Sequence, residues 1–345
     1  MEVIPSGVAF GLGAALVACL LTFAFCQVSI RLRIALDEVS ERSNHDTPTP
    51  RLGGAGVLIG FAGAAAAIMI AASLITPALI PLIMLTFAAG LIGLADDLTT
   101  VSAGAKLLML CVLSGFAVVV LGPVAEVPIP LVGWVPLSPP VGMAVGAFWL
   151  LAIVNVVNFM DGLNGLIGTA VVLVFVNLGL LVGGELGWLV LAIEGAIIGF
   201  LVCNAFKGRI FLGDAGSLAL GFLLGALPLV AEGEGRVFWL TPLVALPLIA
   251  DVAFTLVIRT RRGARWTEPH RDHLYQRLKT AGWSHQAVSV ALGCVIVLGA
   301  LVSRKVGPDV DIAPAAYWAS AVGLGGVWAI VMVVMLTIKP PSAPS

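Results

Sequence analysis

Long apolar runs, separated by short polar joints, make up most of the chain. A bilayer core of roughly 30 Å is crossed by about 20 residues of helix. Runs of that kind lie near 6–27, 53–74, 77–95, 105–122, 141–158, 165–183, 187–205, 215–231, 238–258, 286–303 and 314–338. They are unbroken and lack the alternating dyad of a membrane barrel, so the spans are helical. The pattern predicts an all-α polytopic bundle of about eleven transmembrane helices, forming a single domain over residues 1–345. The runs near 53–95 and 165–205 are close to continuous, so ten or twelve spans fit as well. The longest polar insert, about 259–285, is too short to fold alone, and the prolines of 123–140 exclude helix there.

Composition narrows the class further. Hydrophobic residues are 60% of the 345, against roughly 45–50% in soluble domains even with Gly counted. With only 11% of residues charged, a soluble enzyme, a secreted disulfide scaffold, a disordered chain and a basic-patch nucleic-acid binder are all excluded. The cysteines Cys19, Cys26, Cys111, Cys203 and Cys294 fall in or beside apolar runs without paired spacing, and read as small core hydrophobes. The start, MEVIPSGVAF, lacks a basic n-region, so the first run is expected to be a retained span.

Charge placement predicts orientation. With eleven spans and the N-terminus outside, the inner loops take all but three of the 18 Lys+Arg, leaving Arg236, Arg304 and Lys305 outside. That asymmetry predicts N-out, C-in. It also places His45, His270, His273, His285, Asp96, Asp97, Asp161 and Asp214 at the inner face. Titratable groups gathered there suit a polar cytoplasmic substrate.

Five clusters carry the candidate chemistry. SERSNHDTPTPRLGG (40–54) offers Arg42, His45 and Arg51 to an anion, with Gly53–Gly54 at a helix start. LADDLTTVSAGAK (94–106) sets two carboxylates at the end of an apolar helix, costly unless a cation compensates them. Adjacent side chains diverge, so one of Asp96 and Asp97 can bind metal while the other accepts a proton; Lys106 reaches the same pocket. In NVVNFMDGLNGL (155–166), Asn155, Asn158 and Asp161 follow at i, i+3 and i+6 along one helix face, and Gly162 and Gly165 break the helix. In NAFKGRIFLGDAGSL (204–218), Asp214 lies in a Gly-rich turn before a span, suited to phosphate with Mg²⁺, which takes one or two carboxylates plus phosphate oxygens. RTRRGARWTEPHRDHLYQRL (259–278) puts His270 and His273 on one face if helical, amid arginines, as a cationic clamp for phosphate rather than a zinc site. Each has a bland alternative: a positive-inside loop, a helix cap, interhelical hydrogen bonding, a turn, or a segment drawn to anionic lipid. Within the spans themselves only Glu194 and Asp251 are acidic; Asp251 is expected to be structural or to pair with an inner Arg. Together the clusters form a kit for Mg²⁺-assisted phosphoryl transfer at a membrane surface.

The ordered set DD…K, NxxNxxDGxNG, N…GDxGS and HRDHxYQRL resembles the polyprenyl-phosphate N-acetylhexosamine-1-phosphate transferases, glycosyl transferase family 4, over about residues 35–290. NHDTPTPRLGG and HRDHLYQRL look most like bacterial enzymes that initiate O-antigen or related glycans. The resemblance implies an inner-membrane enzyme with a cytoplasmic active site. It would pass an N-acetylated sugar 1-phosphate from a UDP-sugar to undecaprenyl phosphate, release UMP and require Mg²⁺ or Mn²⁺. Carried over by motif, Asp214 is the principal metal ligand, and Asp96 and Asp97 are the acidic pair, with Asp97 helping the metal and one of the two acting as base. Lys106, Asn155, Asn158, Asp161 and Asn204 line the nucleotide and phosphate site, with His270, Arg271 and His273 near the diphosphate and His45 and Arg51 beside it. Where many members carry a second acid in DGxDG, this chain has Asn164. The rivals are a transporter of an anionic solute, suggested by glycine-broken helices, and an inactive scaffold of a glycan-assembly complex. A homodimer is compatible with all three.

Overall fold

Backbone polar groups find no water in hydrocarbon, so each apolar run closes its own hydrogen bonds as helix. The computed structural model describes residues 6–37, 48–71, 79–231, 237–263, 272–305 and 314–337. In chain order the elements are α1 (Ser6–Leu32), β1 (Leu36–Asp37), β2 (Thr49–Pro50), α2 (Gly53–Ala71), α3 (Leu79–Leu98), α4 (Ala103–Leu121), β3 (Glu126–Ile129), β4 (Gly133–Pro136) and α5 (Pro139–Met160). There follow α6 (Leu166–Val182), α7 (Gly184–Asn204), α8 (Gly213–Val230), α9 (Val237–Val244), α10 (Leu246–Arg261), α11 (Leu274–Thr280), α12 (His285–Lys305) and α13 (Pro314–Thr337). Among the described residues, nine helices are long and apolar enough to cross a bilayer. The bent pair α9–α10 makes up a tenth candidate, and α6 is a shorter apolar helix. The protein is a polytopic, all-α membrane protein.

Helix stands on every expected run, with one departure. The run near 238–258 is broken: α9 and α10 meet at 64°. Pro242 lies inside α9 and Pro247 in the first turn of α10, and neither has an N–H to continue a ladder. The proline-rich stretch 123–140, expected to exclude helix, folds as an antiparallel hairpin, Glu126 facing Pro136 and Ile129 facing Gly133. An isolated hairpin is marginal in water. This one is tied down by two indoles: Trp239 donates to the Glu126 carbonyl and Trp318 to that of Pro128, each at 2.8 Å.

α8 is the axis of the molecule. It is apolar all round, and 83% of its span is buried, against 22% for α1, α4 and α13, as befits a helix enclosed by others. It packs against α3, α5 and α2. Two glycines bring its first turn close to neighbouring backbone. A Cβ at Gly93 on α3 would collide with the Asp214 carbonyl, and one at Gly54 on α2 with the backbone of Gly216. The Gly53 and Gly54 amides donate to Phe211 and Leu212 at 2.9 and 2.7 Å, while Phe211 donates to Pro50. The start of α8 is thereby fixed against α2 and α3 at the end of the bundle opposite the hairpin.

Candidate active site

Four helix ends converge where α8 begins. α3 ends on Asp96 and Asp97, α4 opens with Lys106 in its first turn, α5 carries Asn158 in its last, and α8 supplies Asp214. The α4 start is held by Ser102, whose hydroxyl accepts the Ala105 N–H. Lys106 Nζ donates to Asp96 Oδ2 at 2.7 Å and to Asp214 Oδ2 at 2.5 Å. The other oxygen of Asp214 accepts from Asn158 Nδ2 at 2.9 Å, and the same amide donates to Ser217 Oγ. Asp96 Oδ1 accepts the Val101 N–H at 2.9 Å. One ammonium therefore joins two carboxylates that lie far apart in sequence.

Asp97 does something else. Its Oδ1 accepts the Asp214 N–H at 3.0 Å and its Oδ2 the Ala215 N–H at 2.9 Å. A carboxylate on the unpaired amides of a helix start both satisfies them and opposes the dipole. Asp97 thus holds α8 in place. Gly213, at φ +72°, makes the turn that presents these amides.

Asp161 follows α5 immediately, and its carboxyl accepts no hydrogen bond from the described residues. Withdrawal from water, with the Asp214 and Asp97 carboxylates nearby, pushes its pKa up to about 8. The folded protein therefore keeps a proton that the unfolded chain releases near 3.8, so stability falls as pH rises between those two values. In metal-free protein, melting followed by tryptophan fluorescence should show that decline, and Asp161→Asn should flatten it. An identical pH profile in the variant would refute the assignment.

The remaining candidates are placed as follows. Asn155 turns back on its own helix, donating to the Leu151 carbonyl at 2.7 Å, and joins no cluster partner. Asn204 is buried and spans two loops: it accepts the Gly165 N–H at 2.6 Å and donates to the Ile210 carbonyl at 2.8 Å. Arg51 follows β2, whose Pro50 meets Phe211, and lies 3.9 Å from Asp37. Asn164 packs on Gly208, while its N–H donates to His285 Nδ1 at 3.0 Å. No hydrogen bond links the Asn164 side chain to Lys106 or Asp214. His45, His270 and Arg271 lie outside the described residues.

His273 departs from the expectation of a helical pair. α11 starts only after it, and its ring is buried, with Nδ1 at 3.1 Å from Asp251 Oδ1. Among the described residues Asp251 accordingly does not pair with an arginine; Arg259 pairs with Asp272 at 2.6 Å. Sequence reasoning singled out Asp251 only as a structural or Arg-paired acid, and passed over Tyr275 and the role of Ser217. An acid inside an apolar span was the available signal.

The cluster fits Mg²⁺. Asp96 and Asp214 are hard oxygen donors drawn toward one point, and with Asp97 beside Asp214 the carboxylates outnumber the single lysine. Among the described residues no three His, Cys, Asp or Glu side chains form a closed metal cage. Oxygens of substrate and water would complete the shell, as Mg²⁺ prefers.

Fold and site together define a membrane enzyme with an acid–lysine–amide centre at one end of its bundle. The glycosyl transferase family 4 model matches residues 79–232, which hold every member of that centre. A decaprenyl-phosphate N-acetylglucosaminephosphotransferase of Mycobacterium tuberculosis is 30% identical over 320 residues, covering 81% of this chain and 77% of that one. A probable undecaprenyl-phosphate N-acetylglucosaminyl 1-phosphate transferase of Bacillus subtilis is 27% identical, covering 79% and 78%. A phospho-N-acetylmuramoyl-pentapeptide-transferase of Shouchella clausii is 29% identical, covering 75% and 83%. The chain belongs to glycosyl transferase family 4 and is a membrane transferase.

Proposed function

We propose that the protein transfers an N-acetylated sugar 1-phosphate from a UDP-sugar to undecaprenyl phosphate at the cytoplasmic face, releasing UMP, as the first membrane step of a surface glycan. The observation that carries this reading is Lys106 bridging Asp96 and Asp214 where α3, α4, α5 and α8 meet. An oxygen of the lipid phosphate attacks the β-phosphorus of the UDP-sugar, and the bond from that phosphorus to the bridging oxygen breaks. Asp96 and Asp214 would hold Mg²⁺, which when bound neutralises charge on the transferring phosphoryl oxygens. Lys106 adds a fixed positive charge, and Asn158 orients Asp214. Asp161, which follows α5 and lies beside Asp214 and Asp97, would face the same phosphoryl group.

The acidic pair leaves no carboxylate over to serve as base. Both oxygens of Asp97 hold α8, and Asp96 is held by Lys106 and Val101. None is required, because a phosphate with a second pKa of about 6 is largely dianionic at neutral pH. Asp96→Asn and Asp97→Asn should therefore lose similar activity at about pH 6 and about pH 8.5. A much larger loss at the lower pH would restore one of them as the base.

Purified protein, undecaprenyl phosphate and a panel of UDP-sugars test the reading directly. UMP release with a lipid-linked product identified by mass spectrometry supports it; flux of solute into proteoliposomes without UMP release would replace it with a transporter. Orientation has its own check. A cysteine introduced at Ser284 should resist an impermeant thiol reagent added to intact cells, and labelling there would reverse the sidedness.

A further inference from the structure

Asp251 is a buried acid inside an apolar span, 2% exposed, and the transfer described above does not use it. Its carboxylate is nevertheless engaged by four groups. Oδ1 accepts the Leu274 N–H at 3.0 Å and lies 3.1 Å from His273 Nδ1; Oδ2 accepts the Tyr275 N–H at 3.1 Å. Thr255, one turn along α10, reaches Oδ1 at 3.4 Å. Both carboxylate oxygens already accept main-chain N–H groups, so the contact with the ring is completed with Nδ1 as the donor. The consequence runs on to the site. α11 is held with Tyr275 against the end of α5: the tyrosine hydroxyl donates to the Phe159 carbonyl at 3.0 Å, and its ring occupies the space that a Cβ at Gly162 would fill. Phe159 and Gly162 flank the segment that carries Asp161. The His273 ring stacks on Tyr275, with centroids 5.7 Å apart, and faces Phe159 at 6.2 Å.

We propose that Asp251 is a positioning residue for the transfer reaction, fixing the His273 tautomer and seating α11 so that Tyr275 holds the Asp161 turn. This rests on the transferase reading above. Asp251 lies on α10, after the break at Ala245, so the bend in this span is what aims its carboxylate at the segment beyond the basic loop.

Two measurements test it, one of them independent of turnover. The chain has four histidines, so ¹⁵N-histidine spectra of the full protein in nanodiscs are simple, and His273→Ala assigns the signal. At alkaline pH His273 should carry its proton on Nδ1 and lose that preference in Asp251→Asn; an Nε2–H tautomer in the wild type would overturn the proposal. Kinetically, Asp251→Asn should lower kcat/KM on the order of 100-fold, as expected when charged hydrogen bonds are lost, with partial rescue by Asp251→Glu. The double variant Asp251→Asn/His273→Ala should be no worse than the poorer single, because both break one unit. Additive losses, or a folded Asp251→Asn with wild-type kinetics, would overturn it. Should Asp251→Asn fail to fold, Tyr275→Phe removes only the hydroxyl on Phe159 and should still cost about tenfold in kcat; wild-type kinetics there would overturn the link to Asp161. A wild-type protein inactive with every UDP-sugar would refute the transferase reading, while the histidine spectrum still judges the seating of His273.

Discussion

Asp214→Asn should lower kcat on the order of 1,000-fold, measured as UMP release at saturating substrates and Mg²⁺. Charge is only part of the reason. Both oxygens of Asp214 face donors: Lys106 Nζ at one and Asn158 Nδ2 at the other. An asparagine amide must turn its NH₂ toward one of them, so whichever way it flips, two donors oppose each other. The variant therefore loses a hard oxygen ligand and misplaces either the lysine or the asparagine. The fold should survive, because α8 is held by Asp97 through the main-chain amides of 214 and 215 and not through the Asp214 side chain. Activity within about tenfold of wild type would remove Asp214 from the metal and phosphate contacts.

Lys106→Met should cost on the order of 100-fold or more in kcat/KM, and extra Mg²⁺ should not restore it. Methionine keeps the length and apolar stem but leaves Asp96 and Asp214 facing each other without the ammonium between them. A divalent cation could quench that repulsion without supplying the fixed positive charge and donors that a phosphoryl group meets. Lys106→Arg should recover little, since a planar guanidinium cannot stand at a point 2.7 Å from one carboxylate and 2.5 Å from the other as a compact ammonium does. Full recovery by Mg²⁺ in Lys106→Met would show that the lysine only balances charge in the empty site.

The spans were legible because a bilayer imposes one rule on every run, length and apolarity, and the runs near 6–27, 105–122 and 314–338 obey it without help from neighbours. The break in the run near 238–258 was not legible in the same way. Pro242 and Pro247 are visible, yet prolines are tolerated within membrane helices when neighbours satisfy the freed groups, so the 64° bend belongs to packing. The hairpin at 126–136 was hidden for a related reason: its strands are short and proline-bearing, and Trp239 and Trp318, which secure it, come from distant helices.

Within the site, the residue types and their gathering at helix ends were set by the sequence, since carboxylates, amides and a lysine beside apolar runs have few places to be. Their division of labour was not. Asp96 and Asp97 are neighbours, and nothing local says which meets Lys106 and which caps α8; that depends on the close approach of α3 to α8 at Gly93. Asn155 and Asn158 share a helix face, but only Asn158 lies level with Asp214. Asp251 looks like an isolated acid until the chain returns after the basic loop and offers it the amides of Leu274 and Tyr275. The sequence by itself determined the solvent, the helices and the chemical inventory, because transfer free energy and backbone hydrogen bonding act residue by residue. Only the tertiary structure decided which carboxylate faces the lysine, which one holds a helix and which is withdrawn from water, because each assignment depends on distances between segments far apart in the chain.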